Sequence, residues 1–119
     1  MVDAERFRAI LNQEREQKRT LLDSLRGDIR SVSAARVDSN VDDEHDPEGS
    51  TIAFELSQAG ALMEQSRAGL EQIEAALARI DDGTYGVCES CGNPIGKMRL
   101  MAFPRATLCM TCKQREERR

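Results

Sequence analysis

The chain has 119 residues, a formal net charge of −4, 32% charged residues and only 3% aromatic ones. One domain is expected at this length. With no Trp, one Tyr and three Phe, the chain lacks the aromatic bulk that fills an ordinary globular core, so a thin helical structure with an aliphatic seam is expected instead.

At the N-terminus, charges begin at Asp3, and no apolar run long enough for a signal peptide or membrane helix follows. The expectation is a soluble, cytoplasmic protein without a membrane partner. Residues 1–36 are rich in Glu, Gln, Arg, Leu and Ala, the composition of a helix. Phe7, Ile10, Leu11, Leu21, Leu22, Leu25, Ile29, Val32 and Ala35 supply its apolar face. The face is interrupted at Glu14–Arg19, where every residue is polar. Either a helix pair splays there or another element covers that stretch.

Residues 37–50 form the predicted turn. Six carboxylates, Asp38, Asp42, Asp43, Glu44, Asp46 and Glu48, fall within 38–48, and no Lys or Arg interrupts them. Cap chemistry explains one or two acids, not six. Asp46-Pro47 resembles an N-cap followed by Pro at the first helical position, with Ser50 or Thr51 as competing caps.

Residues 51–82 give the clearest period. Ile52, Leu56, Ala59, Met63, Ser66, Leu70, Ile73, Leu77 and Ile80 follow steps of 4, 3, 4, 3 without a break, the a/d seam of a helix packed along a partner helix. Ser66 is the polar exception, and Gly60 and Gly69 lie off the seam. Phe54, also off the seam, is expected to pack under the turn. The two helices form a long antiparallel hairpin in this reading, a coiled coil with arms of about 45 Å at about 1.5 Å per residue, and the acidic cluster sits at its tip.

Residues 83–119 hold all four cysteines, spaced C-x2-C-x17-C-x2-C at Cys88, Cys91, Cys109 and Cys112. That is the pattern of a tetrahedral four-cysteine zinc site. No βαβ pattern surrounds a C-x-x-C, as a thioredoxin-like site would need. Four thiolates fill the coordination shell and leave no position for substrate, so one structural Zn2+ per chain is expected. The tail KQREERR after Cys112 should continue as a short basic helix. Lys97, Arg99, Arg105, Lys113 and Arg115 read as a solubilising surface, because only Tyr85 and Phe103 offer stacking partners nearby. The fold class is therefore mainly α: a helical hairpin with a C-terminal four-cysteine zinc finger and short helix.

The charge is uneven along the chain. Residues 37–51 carry −6 and residues 88–119 carry +4, so one end of the molecule is acidic and the other basic.

The zinc segment resembles the DksA/TraR family of transcription regulators. The match runs Cys88, Glu89, Cys91, Ile95, Arg99, Pro104, Cys109 and Cys112, preceded by DDGTYGVCESCG. The resemblance implies binding to RNA polymerase, with the hairpin inserted through the secondary channel and the tip acids Asp42, Asp43, Glu44, Asp46 and Glu48 near the active centre. It implies altered open promoter complexes without any reading of DNA sequence. The chain is expected to be a monomer, although a heptad seam within one hairpin looks much like one between chains. The tip departs from the family's best-studied form. Counting back from the cysteines places Glu48 at the family's aspartate and Ser50 at its alanine; aligning on Asp-Pro places Gly49 and Thr51 there. At the positions where family members help bind guanosine tetraphosphate this chain has Gln72, Phe103 and Lys113. Only Lys113 keeps the charge, so weak synergy with that nucleotide is expected.

Three other classes are weaker. A Gre-like transcript-cleavage factor also puts carboxylates on a hairpin tip but lacks this zinc module. A zinc-finger DNA-binding protein fits poorly with the acidic net charge and the missing recognition helix. An autonomous enzyme is disfavoured because His45, the sole histidine, has no nucleophile partner.

Overall fold

The computed structural model describes the backbone of residues 3–39 and 47–118, and the side chains of residues 3–32 and 51–118. Four helices follow in chain order: α1 (Ala4–Ser39), α2 (Pro47–Asp82), α3 (Lys97–Ala102) and α4 (Met110–Glu117). Among the described residues the only β pairing is an isolated antiparallel bridge between Val87 and Pro94. The architecture is mainly α.

Local chemistry sets the helix ends. The Asp3 carboxylate accepts the Arg6 backbone N–H at 3.3 Å, satisfying one of the orphan donors at the start of α1. Pro47 is the first residue of α2, where its missing N–H costs nothing. Asp38 and Glu48 thus fall within helical backbone. At the far end of α2, Gly83 takes a φ of 80°, and the Thr84 N–H closes onto the Arg79 carbonyl at 2.9 Å. A left-handed residue just past a helix is the usual glycine terminator.

The chain folds as two compact units, one formed by the residues up to Arg15 together with Glu71 onward, the other by Glu16–Leu70. In the first unit α1 and α2 run antiparallel. The Arg8 guanidinium donates to Asp81 at 2.8 Å and Arg15 to Glu74 at 3.2 Å, so seven residues up one helix match seven down the other. Exposed pairs of this kind contribute at most about 1 kcal/mol; burial does more. Phe7 and Leu11 from α1 meet Ile73, Ala76, Leu77 and Ile80 from α2, and the same core takes in Tyr85, Cys88, Ile95, Leu100 and Cys112. Phe7, Leu11, Ile73 and Leu100 are fully buried. The base of the helix pair and the cysteine segment therefore share one hydrophobic core.

In the second unit Leu22, Leu25 and Ser66 are buried. Leu25, Ile29 and Val32 of α1 and Leu56, Ala59 and Leu62 of α2 line an open groove, with Asp28 and Glu55 at its rim. All nine positions of the 4–3 seam on α2 are buried or half-buried, while most positions between them are exposed.

Four details differ from the sequence expectation. Phe54 is 67% exposed and does not pack against the helix pair; Leu21 is 46% exposed and lies off the apolar face. Gly69, placed off the seam, is buried. The polar stretch Glu14–Arg19 neither splays nor needs an extra cover at its first turn. Glu14, Arg15 and Lys18 are half-buried, and the Arg15 bond to Glu74 keeps the helices adjacent there. One oxygen of Glu14 and one terminal nitrogen of Arg79 are buried without a hydrogen-bond partner.

Candidate metal centre

Glycines make the first cysteine pair possible. Gly86 and Gly92 hold φ values of 87° and 77°, which residues with a Cβ rarely adopt. Between them the Cys88 N–H donates to the Asn93 carbonyl at 2.8 Å, and the Gly92 N–H to the Cys88 carbonyl at 2.9 Å. The chain so turns tightly around Cys88 and Cys91. The second pair uses a helix start: Cys109 is the N-cap of α4 in extended conformation, and Cys112 lies in the first turn of that helix. The Lys113 N–H closes onto the Cys109 carbonyl at 2.9 Å.

The residues between the two pairs hold them together. The Glu89 N–H reaches across to the Thr107 carbonyl at 2.9 Å. Arg99 donates through Nε to the Leu108 carbonyl at 2.9 Å while its guanidinium lies 5.4 Å from the centre of the Phe103 ring. Tyr85, just ahead of the first pair, donates its hydroxyl to the Pro104 carbonyl at 2.8 Å and tilts against Phe7 with ring centres 5.5 Å apart. Burial pushes the Tyr85 phenol up to about 12, only partly offset by Arg79 nearby.

The four sulfurs converge. Cys88, Cys91, Cys109 and Cys112 present Sγ atoms that all lie within 4.8 Å of one another, and Cys91 and Cys109 Sγ are 3.8 Å apart. A zinc ion with sulfurs at about 2.3 Å in tetrahedral array sets them about 3.8 Å apart, so the donor set fits that ion in number, softness and spacing. Cys88 and Cys112 are buried, Cys91 is exposed and Cys109 half-buried. Backbone N–H groups of Cys109 and Cys91 hold the Cys88 thiol down at about 6, and that of Cys112 likewise lowers Cys109. Cys112 shares a proton with Cys109 and is pushed up to about 12. The peptide groups thus stabilise negative sulfur on one member of each pair, and a dication does so for the rest. The site is a structural zinc centre: four protein ligands fill the shell, and the surrounding loop adds Tyr85, Ile95 and Leu100 to the core it shares with the helix pair.

Sequence reasoning located the ligands but missed their support. Leu100, Tyr85 and Arg99 fix the loop. Arg99 and Arg105 are not merely solubilising, because Arg105 donates to the Gln72 side chain at 3.0 Å. Tyr85 had a signal, as the one tyrosine beside the first cysteine; Arg105 had none. The tip residues Asp42, Asp43, Glu44 and Asp46 lie outside the described residues, and of Glu48 only the backbone is described. Among the described residues no helix is long and apolar enough to cross a membrane.

Fold and ligand set together define a helical protein built around a C4-type zinc finger. Residues 83–118 match the prokaryotic DksA/TraR C4-type zinc finger family. The chain is 34% identical over 107 residues to the RNA polymerase-binding transcription factor DksA of Escherichia coli, a match covering 90% of this chain and 66% of that protein. To the protein of the same name from Caulobacter vibrioides it is 45% identical over 56 residues, 47% of this chain and 39% of the relative. The structure of transcription factor DksA2 from Pseudomonas aeruginosa superposes with a TM-score of 0.81 at 27% identity, covering 97% of this chain and 83% of that one. The chain belongs to the DksA/TraR family.

Proposed function

We propose that the chain is a non-enzymatic regulator of transcription that binds RNA polymerase. The observation that carries this reading is the pairing of a complete four-cysteine zinc site with a two-helix element in a fold shared with DksA2. Relatives that share it are named RNA polymerase-binding factors. In the finer reading the helix pair enters the secondary channel as a monomer in the cytoplasm. Asp42, Asp43, Glu44, Asp46 and Glu48 approach the active centre, and open promoter complexes change lifetime without sequence-specific contact to DNA. Carboxylates suit that task because they meet magnesium or basic side chains.

Synergy with guanosine tetraphosphate is expected to be weak, since Gln72 and Phe103 are neutral and Lys113 stands alone. The Arg105 bond to Gln72 brings a further cation to that position, as Arg99 does beside Phe103. Any residual synergy should therefore fall in both Arg105→Ala and Lys113→Ala.

The test is the lifetime of open complexes on a ribosomal RNA promoter, with polymerase from the same organism. Wild type is compared with a variant in which Asp42, Asp43, Asp46 and Glu48 become amides. A change in lifetime that disappears in the variant supports the reading. Cleavage of backtracked RNA by the wild type, with no effect on lifetime, would replace it with a Gre-like one.

A further inference from the structure

The helix pair of the unit Glu16–Leu70 leaves one face unsealed. Leu25, Ile29 and Val32 of α1 and Leu56, Ala59 and Leu62 of α2 floor a groove of about 360 Å³, a volume in the range of small-ligand sites. Leu62 is 41% exposed, and Ile29, Val32, Leu56 and Ala59 are only half-buried. The floor therefore keeps apolar area in water that a ligand would remove from it. The rim carries the charge: Asp28 on the α1 side, Glu55 on the α2 side, and no Lys or Arg among the described residues lining the groove. Both carboxylates are exposed, and neither has an ion-pair partner among the described residues.

These features select the occupant. An anion would meet two carboxylates and no cation. A second copy seated groove to groove would bring acids against acids. The lining runs from Leu25 to Val32 on α1 and from Glu55 to Leu62 on α2, about 10 Å on each helix at about 1.5 Å per residue. A specific protein interface needs about 800 Å² on each side, more than a groove of that length offers. A small hydrated cation would leave the apolar floor wet. Asp28 lies midway along its side and Glu55 at the end of its own, so the acids stand at different levels of the groove. Two separated cations joined by an apolar spacer match that layout.

We propose that this groove binds a linear aliphatic di- or polyamine, its methylenes laid on Ile29, Val32, Leu56 and Ala59 and its ammonium groups at Asp28 and Glu55. The ligand adds a third wall to a helix pair that has two. The site is separate from the zinc centre and does not depend on the polymerase reading.

Titration calorimetry of the zinc-loaded chain with diaminohexane, one amine at each end, tests it, with the helicity of every variant checked against wild type. Wild type should bind diaminohexane about fivefold more tightly than diaminobutane, because the longer chain buries more methylene, and its thermal midpoint should rise as the diamine is added. Asp28→Asn/Glu55→Gln should weaken binding about tenfold, as loss of both charged contacts does. Ala59→Leu fills the floor and should block binding with both carboxylates in place. The tip acids are the rival site for any amine, so Asp42→Asn/Asp43→Asn should leave the affinity unchanged. Binding that survives in the folded Asn/Gln variant or in folded Ala59→Leu, or that is lost in the tip variant, places the amines elsewhere and overturns the proposal. Equal affinity for the two diamines overturns it too, since charge alone would then attract them. Wild type that binds neither diamine at millimolar concentration removes the site altogether.

Discussion

Ile73, Leu77 and Ile80 are buried in the unit that carries the finger, whereas Ile52, Leu56, Ala59 and Met63, on the same helix and the same 4–3 seam, are only half-buried in the unit Glu16–Leu70. Sequence period alone does not distinguish the two stretches. The difference lies in what adds a third side. In the first unit Tyr85, Ile95 and Leu100 close over the helix pair. In the second, two helices face each other alone, and a groove between Leu25, Ile29, Leu56 and Ala59 stays open. Two helices can seal a narrow seam but not a broad one. The zinc centre thus stiffens the helix end to which it is attached, and the other unit has only its own seam.

The largest effect should come from breaking the metal centre. Structural zinc in finger peptides contributes about 10–16 kcal/mol. Removing it by chelation, or by Cys88→Ser with Cys112→Ser, should unfold the loop and expose Phe7, Leu11 and Ile73. Tyr85, the only tyrosine, reports on the first unit through its near-ultraviolet dichroism, and helicity reports on both. Loss of the Tyr85 signal with much helicity retained is the expected outcome. A metal-free protein whose Tyr85 signal matches that of the zinc-loaded one would show that the shared core does not depend on the ion.

Truncation inside the seam sharpens the comparison. Ile73→Ala removes a fully buried side chain and should cost about 2–5 kcal/mol. Leu56→Ala empties a half-buried position beside the groove and should cost about 1 kcal/mol, because less area is lost. Chemical denaturation of both variants measures the ratio. Equal costs would mean that the groove is closed in solution.

The fold was readable where chemistry is periodic or stoichiometric. Every position of the 4–3 spacing from Ile52 to Ile80 faces inward, though the spacing passed over the buried Gly69 and Ala76, and the cysteine spacing named all four cysteines that converge. What escaped depends on contacts far apart in sequence. Phe7 and Tyr85 are separated by most of the chain, and their pairing follows from the fold rather than from either neighbourhood. Phe54 was misplaced for a similar reason: its helix buries a narrow stripe, and the stripe leaves it outside. Arg105 reaches Gln72 only because the loop after α3 returns to α2.

Alkaline pH probes the closed unit by itself. Burial raises the Tyr85 phenol from its ordinary value near 10 to about 12. The folded state therefore holds its proton more tightly than the unfolded chain does. The resulting stability is complete below pH 10 and is lost as pH rises through about 12. Tyrosinate absorbance should titrate near 12 in the zinc-loaded protein and near 10 after chelation. A midpoint near 10 in both would place Tyr85 in water.

The smallest effect is expected in the open unit, and it has the opposite sign. Gly60 lies in the interior of α2, and a Cβ built there meets nothing within 4 Å. Neither close packing nor a left-handed backbone requires glycine at that position. Ala should therefore restore helix propensity without strain, adding about 1 kcal/mol. Gly27 on α1 is equally unobstructed and should behave alike. The two gains should add unless the residues couple across the groove. Higher denaturation midpoints with unchanged slope confirm the stabilisation. A loss of stability in Gly60→Ala would mean that α2 departs from a regular helix there, and that the half-buried seam is kept apart by backbone shape rather than by want of a third side.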